Sequence, residues 1–355
     1  MTERKLFLSP QVYQTLHAAQ LDAIELAALD CSYSAHRMDP ASRSTDSLMA
    51  EINENKANVL LLTSQECATF LDRQKLEVHR PDPRLPKGIA LVHTGEGRFD
   101  PFKDGSLSPQ VRYMLGATTP VILRGLVGSM LEFQIGIGHR GVLPRIATAQ
   151  GIEAETRLLK SSSERSNIQE FVAEYTKSMG RKFKTQISSN FNHYAKALTD
   201  ILDELLMNAI WDSNPEFKNK SRTEDCILAN GKEVTIECSC DGVNLALAVE
   251  DKHGTFPWVA LFGPQSFALG AKPPLRINEG PGGAGLGLYM VLQKTSILSF
   301  EIKKDAYTRV TAILRLDESA RDMQARPKTL LVFSDDMYTT PATNETNSKH
   351  NCSSN

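Results

Sequence analysis

The six cysteines of this chain of 355 residues have neither the spacing of a metal site nor that of a disulfide framework. Cys238 and Cys240 stand two apart, on one face of an expected strand, where packing or solvent contact accounts for them. Charge of one sign is also lacking. A net charge of −2 gives no general attraction to nucleic acid or to an anionic lipid surface. No apolar run is long enough to span a membrane, and residues 1–10 (MTERKLFLSP) lack the apolar core of a signal peptide. The expectation is a reduced, cytoplasmic protein with no nucleic-acid or membrane partner. The remaining composition, 41% hydrophobic and 23% charged, is that of a globular chain with room for two cores.

Two common phosphate cradles are missing as well. The glycine-rich stretch Glu279–Leu288 (EGPGGAGLGL) is not followed by Lys-Ser or Lys-Thr, so it is no Walker loop. It falls late in the chain rather than after a first strand, which excludes a dinucleotide fingerprint. Its glycines remove the Cβ atoms that keep backbone N–H groups away from an anion. Residues 286–293 (LGLYMVLQ) have helical apolar spacing, so the glycines open onto a helix N-terminus, where unpaired N–H groups and the dipole favour phosphate. Alone, the stretch reads equally well as a flexible loop.

Residues 1–150 read as a small α/β unit. Gln11 to Leu29 has helical spacing, with 24–29 alternatively a strand, and residues 59–63, 88–93 and 120–123 are short apolar runs expected as strands. Residues 124–146 are glycine-rich and apolar and suit a packed edge or a connecting helix better than a phosphate site. The alternation resembles a response-regulator receiver, but a degenerate, non-phosphorylated one. The run VLLLT passes into Ser64 and Gln65, where a receiver carries its acceptor Asp. Its expected role is sensory or docking.

Residues 154–318 read as a second α/β unit. A strand over 154–160 leads to a helix over 164–179, with Ile168, Phe171, Val172 and Tyr175 on one face and Gly180 as its stop. A longer helix follows over 188–211, with a wide apolar face. Strands over 233–238 and 245–249 are joined by Asp241-Gly242, a hairpin signal. After the glycine stretch come a helix to about Thr295 and closing strands over 299–303 and 309–316. Residues 334–355 are polar and expected to be disordered.

Three motifs carry the chemistry. Glu204 and Asn208 lie four apart on one helical face: an Asn carbonyl suits Mg²⁺ that also touches phosphate, and a Glu one turn away suits a base or water-orienting group. A solvated polar face would read the same. In VEDKHG, Asp251 ends a strand and is able to accept a hydrogen bond from an adenine amine, while Gly254 permits a sharp exit. A strand running into a polar turn is the plainer reading.

In order, ELLMNA, VEDKHG and GGAGLGL resemble the N box and the two glycine boxes of the GHKL superfamily of ATP-binding domains, across about residues 154–316. Among its branches the form D-x-x-G-x-F (Asp251, Gly254, Phe256) looks closest to the anti-sigma-factor serine kinases. The resemblance implies a two-layer α/β sandwich (the Bergerat fold), with ATP and Mg²⁺ as cofactors and Thr255–Gly282 as a lid carrying Lys272 and Arg276. It implies Glu204 as the catalytic base, Asn208 as the Mg²⁺ ligand, and Asp251 and Gly254 at adenine. Gly283, Gly285, Leu286 and Gly287 would hold the phosphates. The common pattern D-x-G-x-G is altered here, with Lys252-His253 shifting the glycine to Gly254. The function implied is a protein kinase or partner-switching regulator with a protein partner, compatible with a homodimer. The alternatives are a non-catalytic nucleotide-gated binding module and an atypical histidine kinase using His193.

Overall fold

The computed structural model describes residues 4–38, 50–52, 58–63, 66, 88–93, 111–116, 119–137, 141–148, 150–183, 191–217, 220–256 and 287–334. In the first part, β1 (Arg4–Leu8), β2 (Tyr33–Arg37), β3 (Val59–Thr63), β4 (Gly88–Val92) and β5 (Val111–Leu115) are all parallel, in the order β2-β1-β3-β4-β5. Strands β3, β4 and β5 are buried at every position, as expected for a parallel sheet covered on both faces. Among the described residues the helices here include α1 (Pro10–Thr15), α2 (Ala18–Asp30), α3 (Pro120–Gln134) and α4 (Leu143–Ile146).

One expectation is corrected here, and one alternative is decided in favour of the helix. Residues 120–123 open α3 rather than forming a strand: Pro120 takes the first helical position, and Ile122, Leu123, Leu126, Val127, Met130 and Leu131 form the buried face. Residues 24–29 are helical, within α2.

The second part contains β6 (Glu153–Leu159), α5 (Arg165–Phe183), α6 (Phe191–Met207), β7 (Val234–Cys240) and β8 (Asn244–Asp251). It continues through α7 (Gly287–Lys294), β9 (Ile297–Lys303), β10 (Tyr307–Arg315), α8 (Ala320–Ala325) and β11 (Thr329–Ser334). Helix α5 does not stop at Gly180. A Cβ there would lie 2.5 Å from the Phe191 ring, so the glycine lets α5 and α6 approach closely.

Strand β11, not foreseen, joins the two parts. It pairs antiparallel with β5 and parallel with β9, giving one eleven-stranded mixed sheet that continues β5-β11-β9-β10-β8-β7-β6. Each face of this sheet carries an apolar core shared by both parts. One combines Phe7, Leu60 and Leu62 with Leu198, Ile201 and Leu247; the other combines Leu61 and Leu126 with Ile297, Ile313 and Phe333. Burying such a side chain contributes about 1.5–3 kcal/mol, so the shared cores bind the halves firmly. Cys238 and Cys240 lie in the first core, and burial pushes both thiols up, which keeps them protonated. Among the described residues no helix is long and apolar enough to cross a membrane.

The crevice between the ends of β1 and β3, where the strand order reverses, is filled by Glu66. Its carboxylate accepts hydrogen bonds from the Gln11 N–H (3.0 Å), the Thr63 N–H (3.0 Å) and the Ser9 hydroxyl. Thr63 in turn caps the Glu66 N–H at 3.1 Å. Replacing Glu66 with Ala strands several donors in a partly buried place. The expected loss is about 1–3 kcal/mol, read as a lower denaturant midpoint with an unchanged slope.

Candidate functional site

Helix α6 buries Leu198, Ile201, Leu202, Leu205 and Leu206 against the sheet, which turns Glu204 and Asn208 toward the neighbouring α7. At Asn208 the helix widens into a π-helical turn, Asn208–Asp212, closed by the Ser213 N–H donating to the Asn208 carbonyl at 2.8 Å. The single helix expected over 188–211 is therefore α-helical only from Phe191 to Met207 within the described residues. Arg165 pairs with Asp203 and lies 5.5 Å over the Trp211 ring, fixing the outer side of this turn.

Asp251, at the end of β8, is 3% exposed. Its Oδ1 accepts from the N–H groups of His253 (2.8 Å) and Gly254 (3.2 Å), so the exit from the strand folds back on the carboxylate. Burial pushes the Asp251 carboxyl above the ordinary range. The His253 and Gly254 N–H groups and the Ser213 hydroxyl oppose that shift. Gly254 has φ +65°, and a Cβ there would meet the Lys303 carbonyl at 2.1 Å. Thr255 then ties the loop to the π turn, its hydroxyl donating to the Ser213 carbonyl at 2.6 Å.

These elements enclose one narrow cavity. Leu205, Ala209, Val249, Leu288 and Val310 supply apolar walls; Asn208, Ser213, Asp251 and Thr308 supply polar groups; Phe256 closes one side. Phe256 is itself stacked on Phe300, with ring centroids 5.3 Å apart. Thr308 Oγ1 is buried here without a hydrogen-bond partner, and the Asn208 amide has no close partner other than the Glu204 carboxylate, whose ionised form it favours. A buried orphaned hydroxyl is unusual in a folded protein and marks a place that a water or a ligand group would satisfy.

Glu204 sits on the other side of Asn208, against the first residue of α7. A Cβ on Gly287 would fall 1.8 Å from Glu204 Oε1, so any side chain there would force the Glu204 carboxylate to swing away. Burial raises the Glu204 carboxyl above its ordinary value, with Arg222 opposing and Asp212 and Asp203 reinforcing. Beyond Glu204 a wider groove of about 800 Å³ opens between α5, α6 and α7, lined by Gln169, Asp200, Asp203 and Lys294 among others.

The structure thus brings together Glu204, Asn208, Asp251 and Gly287, with Gly254 shaping the turn beneath Asp251. Gly283, Gly285 and Leu286, and with them Lys272 and Arg276, lie outside the described residues. His193 is exposed near the start of α6, about 16 Å along the helix from Glu204 at 1.5 Å per residue. Sequence reasoning missed Thr308. It pairs directly with Asp251 across β8 and β10, a register that only the strand pairing supplies.

Chemically, the cavity offers an acceptor in Asp251 and a hydroxyl in Thr308 between apolar walls; at about 10 Å³ it has room for no more than a single water, so a flat ring would enter only if the walls part. A half-turn of the Asn208 amide would present its carbonyl oxygen to a cation. Among the described residues no cluster of three or more His, Cys, Asp or Glu is arranged to hold a metal. Mg²⁺ held through one Asn and the oxygens of a bound phosphate needs none. Compared with known protein families and with curated proteins, the chain matches none.

Proposed function

We propose that this protein binds Mg²⁺–ATP as a GHKL-type domain and transfers the γ-phosphoryl group to a serine or threonine of a partner protein. One observation carries the reading: Asn208, Asp251 and Thr308 share a single cavity, with Glu204 next to them against Gly287. In this reading Val249, Leu288 and Val310 part from the closed arrangement, whose cavity is about 10 Å³, to admit adenine, and its amine donates to Asp251. The phosphates run past Asn208 toward the start of α7. Mg²⁺, held by Asn208 and phosphate oxygens, would neutralise charge on the transferring group. Glu204, with its carboxyl raised by burial, would accept the proton of the attacking hydroxyl. The first half, with Glu66 closing the crevice of a receiver-like sheet, would serve as a docking module that is not itself phosphorylated.

The test is label transfer from γ-labelled ATP to a partner protein in cell extract. Acid-stable label is expected, reduced about 100-fold or more in Glu204→Ala, the usual scale of a lost general base. Acid-labile self-labelling would instead point to His193. The second reading is a nucleotide-gated binding module. It is favoured by Gly254, whose missing side chain makes room for the Lys303 carbonyl rather than for a base. Tight ATP binding without any transfer would select it.

A further inference from the structure

A second cavity, of about 290 Å³, lies where the two halves meet. Thr119 and Ile122 of α3 form one wall, Ser296 and Ile297 at the start of β9 another, and Arg315, Glu318, Met323, Arg326, Pro327, Lys328 and Thr329 the rest. Glu318 is 2% exposed. Its Oε1 accepts from Arg326 Nη1 at 2.7 Å and lies 3.3 Å from Arg315 Nε, while its Oε2 has no partner. Ser296 Oγ, in the same cavity, is also buried and unpartnered. Leaving a buried carboxylate oxygen and a buried hydroxyl unsatisfied around one cavity is costly, and the volume exceeds the roughly 30 Å³ of one water several-fold.

We propose that this cavity binds an amino-acid-sized zwitterion, with its ammonium group on Glu318 Oε2 and Ser296 Oγ and its carboxylate at the N-terminus of α3 beside Arg326. The cation end follows from the orphaned carboxylate oxygen, which needs a donor. Lys328 does not supply it, because its amino group is held by the carbonyls of Gln293 (3.2 Å), Thr295 (2.8 Å) and Met323. The anion end follows from the cap of α3. Thr119 makes no side-chain capping bond, Pro120 has no N–H, and the N–H groups of Val121 and Ile122 have no intrahelical acceptor. Ile122, Ile297, Met323 and Pro327 leave room for a short apolar side chain. Burial pushes the Glu318 carboxyl up, with Arg326, Arg315 and Lys328 opposing and Asp317 reinforcing, so binding should weaken as acid neutralises it.

The test is calorimetric titration of the full chain with each standard L-amino acid, and with acetate and methylamine as single-charge controls. At least one amino acid is expected to bind saturably at one site, with neither control binding at the same concentration. Glu318→Gln and Ser296→Ala should each weaken that binding about tenfold or more. The Ser296→Ala protein loses only an unpartnered hydroxyl and should keep the native circular dichroism spectrum, so it decides the matter even if the Glu318 variant folds poorly. Binding should persist in Asn208→Ala, which separates this cavity from the nucleotide site. No saturable binding by any amino acid, or equal binding by the Ser296→Ala protein, would overturn the proposal.

Discussion

Replacing Asp251 with Asn is expected to weaken adenine-nucleotide binding about 30- to 150-fold, equivalent to ~2–3 kcal/mol for an acceptor exchanged for a donor against a buried amine. The fold should survive. An Asn Oδ1 still accepts from the His253 and Gly254 N–H groups, so the turn keeps both bonds. The stability effect has a definite sign. Because burial raises the Asp251 carboxyl in the folded state, its favourable contribution belongs to the protonated form and is lost as pH rises through the folded-state pKa. At neutral pH the ionised group lowers stability, and Asn removes that penalty. The variant should therefore equal or exceed the parent in stability at pH 7, with the difference shrinking as pH falls into the ordinary carboxylate range. Denaturant titrations at several pH values, paired with nucleotide binding at neutral pH, separate the two effects. A variant that bound ATP as well as the parent would remove Asp251 from the base site.

The second large effect is expected at Gly254. Its φ of +65° disfavours any side chain, and the atoms a Cβ would strike are backbone: the Lys303 carbonyl at 2.1 Å, Ala306 N at 2.8 Å and Asp305 N at 2.9 Å. Backbone in a turn between paired strands cannot swing aside as a flexible side chain would. Gly254→Ala should lose about 3 kcal/mol or more, combining left-handed strain with overpacking. Gly231 is the control. Its φ is +79° but nothing lies within 4 Å of the added Cβ, so Gly231→Ala should lose only ~1–2 kcal/mol from strain. Equal losses in the two variants would mean that the close approach to Lys303 does not hold the exit of β8.

Much of the second half was legible in the sequence because its signals are local. The hairpin at Asp241-Gly242, the apolar stripe of α6 and the run after the glycines each specify an element within one window. What could not be read is non-local. The run Thr329–Ser334 resembles any short buried strand, and nothing nearby says that it slots between β5 and β9. Strand β5 hides behind Arg112, a charge in a buried strand, which is accommodated because its guanidinium donates to the Ser334 carbonyl at 2.8 Å. Residues 120–123 have the composition of a strand, and only the packing of the full stretch to Gln134 makes them a helix. Gly180 is a stop signal by propensity, overridden by the Phe191 ring that needs its bare backbone. At the site, the spacing of Glu204 and Asn208 was readable from helix geometry. Thr308, the orphaned seam carboxylate Glu318 and the plug Glu66 depend on tertiary register and leave no motif.

Mg²⁺-dependent binding of ATP to the purified chain and to its Asn208→Ala variant tests the central claim most directly. Asn208→Ala removes a half-buried amide with no close partner other than the Glu204 carboxylate, so the fold should change little while the Mg²⁺ contact disappears. The account predicts saturable ATP binding by the parent, strengthened by Mg²⁺, and loss of that Mg²⁺ dependence in the variant. Absence of ATP binding by the parent, or binding whose Mg²⁺ dependence is the same in both proteins, would contradict it.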